Sequence, residues 1–399
     1  MNIRTVLPAV VLGTFLLSAQ VTAQRPTVET AWNLIARGNR DQAVSLLRDI
    51  IKTDSGNVDA RLLLGSVLME QGERSGSIEQ LSEAVRLRPE SAEAQNALGE
   101  AYQTFGDPKS ARTPFERAVA IDPSFAQAQV NLASVLLTSG DMPPAEPHLT
   151  KAIGLLGDKP DAAYPYYLRA KVFNARHDTD RAVSDLERAV ALRPDFAEAW
   201  SDLGEARKSL FDDEGALACF RRSVALNPDD AVAQTRLGLN LLNRGNPKDA
   251  IAPLQHAAGI DPNNQSTLNA LQLALRKDGQ PEQANTVKRR LADLLRDKDL
   301  ADQKLVHALE LNNKGIAFEK AGDMRRATEQ YRAALGIYPD HAGIRTNLAV
   351  ALLKLGRWDE GISEMREALR RDPGNTELQK ALADALAQEK SLRTGDGKN

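Results

Sequence analysis

The chain is poor in the residues that build disulfide frameworks, metal sites and aromatic cores. Its 399 residues include one cysteine, Cys219, so no internal disulfide can form and no CxxC motif is possible. Cys219 stands between Ala218 and Phe220 and reads as a small packing residue. The five histidines, His148, His177, His256, His307 and His341, fall at no metal-ligand spacing on one helix. There is no GxSxG, no phosphate-cradling glycine loop and no strand pattern to mount either on. Aromatics make up 5% of the chain, and a net charge of −3 lacks the positive excess that nucleic acid and anionic lipid attract. An enzyme, a metal or cofactor site and a nucleic-acid partner are not expected.

Long apolar runs are also missing, with one exception. After a short basic start, Met1 to Arg4, residues Val6 to Leu17 are apolar apart from Pro8, Gly13 and Thr14. Val21-Thr22-Ala23 then fits a small-residue cleavage site before Gln24. A membrane span needs about 20 apolar residues. The run is shorter, so residues 1–23 read as a signal peptide, with the mature chain exported and spanning no membrane; the alternative is an uncleaved anchor.

What the chain does have is a period. Pro89 and Pro123 are 34 residues apart, as are Pro160, Pro194, Pro228 and Pro262 in succession, and Pro339 and Pro373. Twenty-four residues before most of them stands a glycine or alanine: Gly65, Gly99, Ala170, Gly204, Gly238, Gly315 and Ala349. Such a period marks a stack of small units that cannot bury their apolar faces alone. The repeats fall at 58–91, 92–125, 126–162, 163–196, 197–230, 231–264, 308–341 and 342–375, with a divergent first unit at 24–57. Each reads as two amphipathic helices. The first carries sets such as Leu98, Gly99 and Tyr102 on one face and stops near a glycine. The second carries a large residue between alanines, as in Ala111-Phe115-Ala118 or Ala327-Tyr331-Ala334, so that two helices can close around one knob.

These residues resemble the tetratricopeptide repeat. Trp200, Leu203, Gly204, Ala216, Phe220 and Pro228 match its spaced positions in one unit, whereas Arg207 stands where an aromatic is usual and Ser223 replaces the last alanine. The resemblance implies an all-α, right-handed solenoid (superhelix) of about ten helix–turn–helix units, one of them degenerate. It also implies that the first helix of each pair lines a concave groove.

Two departures from the period carry information. Three extra residues fall near Gly157-Asp158-Lys159-Pro160, and 77 residues separate Pro262 from Pro339. The intervening unit has no glycine or proline between Pro281 and Gly315. Its second helix is therefore expected to run on as an extended connector, with residues 308–375 turned relative to the N-terminal array. The expected organisation is a signal peptide at 1–23, an N-terminal array at 24–264, a degenerate repeat and connector at 265–307, a C-terminal pair at 308–375, and a capping helix with a disordered tail at 376–399. The tail begins near Gln388. Lys288-Arg289-Arg290 on the connector is followed by Asp293, Asp297 and Asp299, which reads as a solvated helix with internal ion pairs.

Candidate partner-binding residues lie on the first helices. The position two before the repeat's glycine or alanine holds Asn131, Asn313 and Asn347, with Asn96 and Asn312 adjacent to that register. Amides donate and accept at once, so a ladder of them could hold an extended backbone of any sequence. This resembles the asparagine-lined groove of the repeats of O-linked N-acetylglucosamine transferases, although Leu63, Asp202 and Arg236 interrupt the ladder. The same asparagines also fit ordinary wet-face residues. Lys171, Asn174 and Lys208 offer part of a carboxylate clamp, with Glu205 among them. Tyr164 and Tyr167 flank the packing position Tyr166, equivalent to Trp200, and fit either an anchor for a partner or core. The expected function is a non-catalytic scaffold or adapter that holds a peptide or protein. The alternatives are an exported chaperone or assembly factor, or an accessory subunit of an enzyme complex.

Overall fold

A computed structural model describes residues 27–394, so the expected leader at 1–23 lies outside the described residues. Among them are twenty α-helices, one 3-10 turn and no strand. Helices pack chiefly on their neighbours in the chain, which makes this an all-α solenoid. It divides into two compact units between Arg244 and Gly245.

In the first unit, helix pairs such as Ala92–Thr104 with Pro108–Ile121, and Ala197–Ser209 with Asp213–Leu226, repeat one design. Helix starts are fixed by short polar side chains. Asn57, Ser91, Asp107, Asp178, Asp212 and Asp230 each accept a backbone N–H of the first turn. First helices stop at a residue in the left-handed conformation, normally the glycine the sequence marks. Two repeats break that rule, with His177 at φ 60° and Phe211 at φ 61°. That conformation costs a residue with a Cβ about 1–2 kcal/mol, and the Phe211 side chain is 91% exposed.

The prolines do more than end helices. The carbonyl of Pro89 accepts a hydrogen bond from the Gln95 side chain six residues on, at 3.3 Å. Pro123 and Gln129 (2.9 Å), Pro194 and Trp200 (3.0 Å), and Pro228 and Gln234 (2.8 Å) repeat the bracket. Arg61 makes the same bond to Ser55. Trp200 is thus a donor as well as a packing residue. At Tyr166 the bracket is replaced: the three extra residues fold into the 3-10 turn Pro160–Ala162.

Within a pair, the spacing of the helices is set by one contact. A Cβ added at Gly99 would fall 2.6 Å from Phe115, at Gly204 2.5 Å from Phe220, and at Gly315 2.5 Å from Tyr331. Each of these rings is fully buried. Where alanine takes the glycine place, at Ala133, Ala170 and Ala349, the residue sixteen on is Leu149, Leu186 or Met365, although Leu81 presses on Gly65 as closely as the rings do, 2.5 Å from an added Cβ. Repeat 163–196 adds a largely buried ion pair, with Arg169 donating two bonds of 2.8 Å to Asp185.

The second unit contains the longest element. Helix Pro281–Lys320 runs unbroken for 40 residues, about 60 Å. Its N-terminal part buries Ala284 and Leu291, and its C-terminal part buries Ala308, Asn312 and Gly315 as the first helix of the next pair. Between them no residue is buried, and Leu295, Leu300 and Val306 are exposed. Lys288, Arg289 and Arg290 are exposed, and the internal ion pair this stretch forms joins Asp293 to Arg296 one turn on. The last helix, Thr376–Thr394, continues past Gln388, where the tail was expected to start. Glu389, Lys390 and Ser391 each take part in an interaction there, and residues 395–399 lie outside the described residues.

Gly204→Ala is expected to cost about 1–3 kcal/mol through overpacking. Adding Phe220→Leu should recover part of that loss, giving a coupling of about 0.5–3 kcal/mol between the two sites. Denaturant unfolding of both single variants and the double variant checks this. Additive losses would refute the ring-on-glycine account.

Candidate protein-binding surface on the first helices

The asparagines proposed as a ladder turn toward one another across the repeat boundary. Asn131 Nδ2 donates to Asn96 Oδ1 at 2.9 Å and to Glu100 Oε1 at 2.9 Å, while its own Oδ1 accepts from Gln127. Asn96 is buried and donates to the same Glu100 oxygen at 3.1 Å. In the second unit Asn347 Nδ2 donates to the buried Asn312 Oδ1 at 2.9 Å. Asn313 is exposed, one position off this pairing.

The residues that interrupt the ladder follow the same rule. Arg236 donates to Ser201, 35 residues earlier, at 2.7 Å, and to Asp202 at 2.9 Å. Asp202 in turn faces the hydroxyl of Tyr167, also 35 residues earlier. A polar column therefore couples neighbouring first helices, with the chemistry of each rung differing: amide to amide, carboxylate to phenol, guanidinium to hydroxyl. Hydrogen bonds of this kind leave Asn131 with both amide protons committed inside the protein.

Burial raises the Glu100 carboxyl above its ordinary 4.5, against the two amide bonds that favour the ionised form. Burial likewise pushes the Tyr167 phenol upward, with the neighbouring Asp202 carboxylate adding to it. The Cys219 thiol is raised by burial too, and its side chain is 1% exposed.

Repeat 163–196 carries a cluster of aromatic rings. Tyr164 stacks on Tyr167 with ring centroids 6.3 Å apart, and both approach Phe196, at 6.5 and 4.8 Å. Tyr164 is 41% exposed, Tyr167 half-buried and Phe196 buried. Lys171 Nζ lies over the Tyr167 ring at 5.3 Å. Lys208 pairs with Glu205 at 3.5 Å rather than joining Lys171, so the basic residues do not converge as a clamp. Phe196, at the N-cap of helix Ala197–Ser209, is the ring that the next repeat brings onto Tyr167.

Models of the tetratricopeptide repeat match residues 34–101 and 319–385, then 96–166, 167–207 and 214–265, and finally 197–230. No curated protein matches the chain. Solved structures similar to it include the protein YrrB, titled a repeat protein with an unusual peptide-binding site. It is 19% identical, with TM-score 0.40, 47% of this chain covered and 95% of that one. The pilF protein of Pseudomonas aeruginosa is 18% identical, with TM-score 0.49 and 54% and 96% covered. A repeat protein of Parabacteroides merdae is 13% identical, with TM-score 0.47 and 62% and 97% covered.

Because the folded-state value of Glu100 is raised, ionising it weakens the fold. Its contribution is intact below the ordinary value of 4.5 and declines as pH rises through the folded value. Glu100→Gln keeps an oxygen to accept both amides and buries no charge. The variant is expected to be at least as stable as wild type at neutral pH, with the advantage vanishing in acid. Denaturant titrations across that range check it, and a less stable variant at neutral pH would contradict it.

Proposed function

Because the chain belongs to the tetratricopeptide-repeat family, whose fold mediates protein–protein contact, we propose that it is a non-catalytic adapter. It takes a peptide or partner protein on the first-helix face centred on Tyr164 and Tyr167. The observation that carries this reading is the Tyr164 ring, stacked on Tyr167 yet 41% exposed. Tyrosine at such a place supplies a rigid apolar surface with a polar tip, which suits an anchor.

The polar column favours an adapter over a chaperone. A sequence-blind grip needs amides free to bond a client backbone, and the Asn96–Asn131 and Asn312–Asn347 pairs are engaged with each other. A partner that belongs to an enzyme complex is served by the same surface.

Tyr164→Ala is expected to leave the melting temperature close to wild type while losing the proteins that co-purify with the wild-type chain from the exported fraction. Tyr167→Ala, which uncovers Phe196, should lower both. Identical co-purifying sets for wild type and Tyr164→Ala would overturn this placement.

Export directed by residues 1–23 belongs to the same proposal, supported by the apolar run and its small-residue end. Sequencing the N-terminus of the chain recovered from outside the cytoplasm should begin at Gln24. An uncleaved Met1 on that chain would refute the leader.

A further inference from the structure

Cations collect on the rings of one stretch of this chain. Arg169 lies over Tyr166 and Phe173 at 5.5 and 5.8 Å, and Arg181 over Phe173 at 5.3 Å. Lys171 lies over Tyr167 at 5.3 Å and Arg193 over Phe196 at 3.6 Å. Tyr164 stacks in the same cluster and carries no cation among the described residues, although it is the most open of these rings.

A carboxylate belongs to the same cluster. Glu198, on helix Ala197–Ser209, lies near enough to the Tyr167 phenol to push it upward, as does Tyr164, whose ring stacks on Tyr167. Glu198 holds the same place in its repeat as Tyr164 does in the preceding one, 34 residues earlier. It is exposed and has no ion-pair partner among the described residues. The other acids of that helix are committed: Asp202 to Arg236 at 2.9 Å, and Glu205 to Lys208 at 3.5 Å.

We propose that Tyr164 and Glu198 form a subsite for one positively charged side chain, an arginine or lysine, of the segment this surface binds. The proposal rests on the adapter reading above and adds the chemistry of the occupant. A guanidinium can lie flat on the Tyr164 ring, attracted by its negative face, while its N–H groups meet the Glu198 carboxylate. Lys171 covers the neighbouring ring, which leaves Tyr164 as the face still open. An acidic segment would meet the unpaired Glu198 charge and is disfavoured.

The test uses the full chain labelled with 3-fluorotyrosine and two probes, Ac-Gly-Ser-Arg-Ser-Gly-NH2 and its citrulline counterpart, which keeps the shape without the charge. The Tyr164 fluorine signal is identified by its loss in Tyr164→Phe. The arginine peptide should shift that signal, and binding should weaken about two- to fivefold with citrulline. Glu198→Gln should weaken the arginine peptide by a similar factor and leave the citrulline peptide unchanged. Tyr164→Phe, followed through the Tyr167 signal, should retain binding, because the ring face remains. Equal binding of both peptides would overturn the charged subsite and leave the adapter reading standing. No shift with either peptide would also overturn it, whereas the adapter reading is judged separately by the co-purification result for Tyr164→Ala.

Discussion

A ring pressed against a backbone that has no Cβ sets the geometry of several helix pairs in this protein. Phe115 on Gly99, Phe220 on Gly204 and Tyr331 on Gly315 bring the two helices closer than any side chain at the glycine would allow. Close approach lets flanking alanines such as Ala111, Ala118, Ala216, Ala327 and Ala334 be wholly buried, so a pair with few aromatics still closes a core. With 5% aromatic content, three rings, Phe115, Phe220 and Tyr331, stand where each one separates two helices.

Coupling between pairs relies on polar groups as well as apolar contact. The proline carbonyl at the end of one repeat is bound by a side chain six residues into the next, and the first helices meet through rungs 35 residues apart. These bonds satisfy groups that burial would otherwise leave unpaired, at a cost of about 1–3 kcal/mol each. They also decide which polar side chains remain for a partner. Those engaged in the column are unavailable, which moves the candidate surface from the asparagines to the open ring of Tyr164 and the face of Tyr167 beside it.

Strain and exposure are spent unevenly along the chain. Phe211 keeps a left-handed backbone and an exposed ring where eight equivalent turns have glycine, and nothing in the structure explains it. The middle of helix Pro281–Lys320 shows the opposite case: no residue between Leu291 and Ala308 is buried, and no glycine or proline interrupts it there.

The period, the two-helix repeat, the turn glycines and the knob residues were legible in the sequence, because each depends on contacts within a repeat and therefore recurs at a fixed interval. The residues that carry polar coupling were visible only as types. That Asn131 would bond Asn96, that Asp202 would face Tyr167, and that Trp200 would hold Pro194 depends on how one repeat stacks on the next, which offsets partners by 35 or six residues instead of the period itself. Whether a tyrosine serves as core or surface was settled the same way. Tyr164 and Tyr167 are three residues apart on one helix, but only Tyr167 is covered by Phe196 and Lys171, and those come to it by tertiary packing and by the helix turn, respectively.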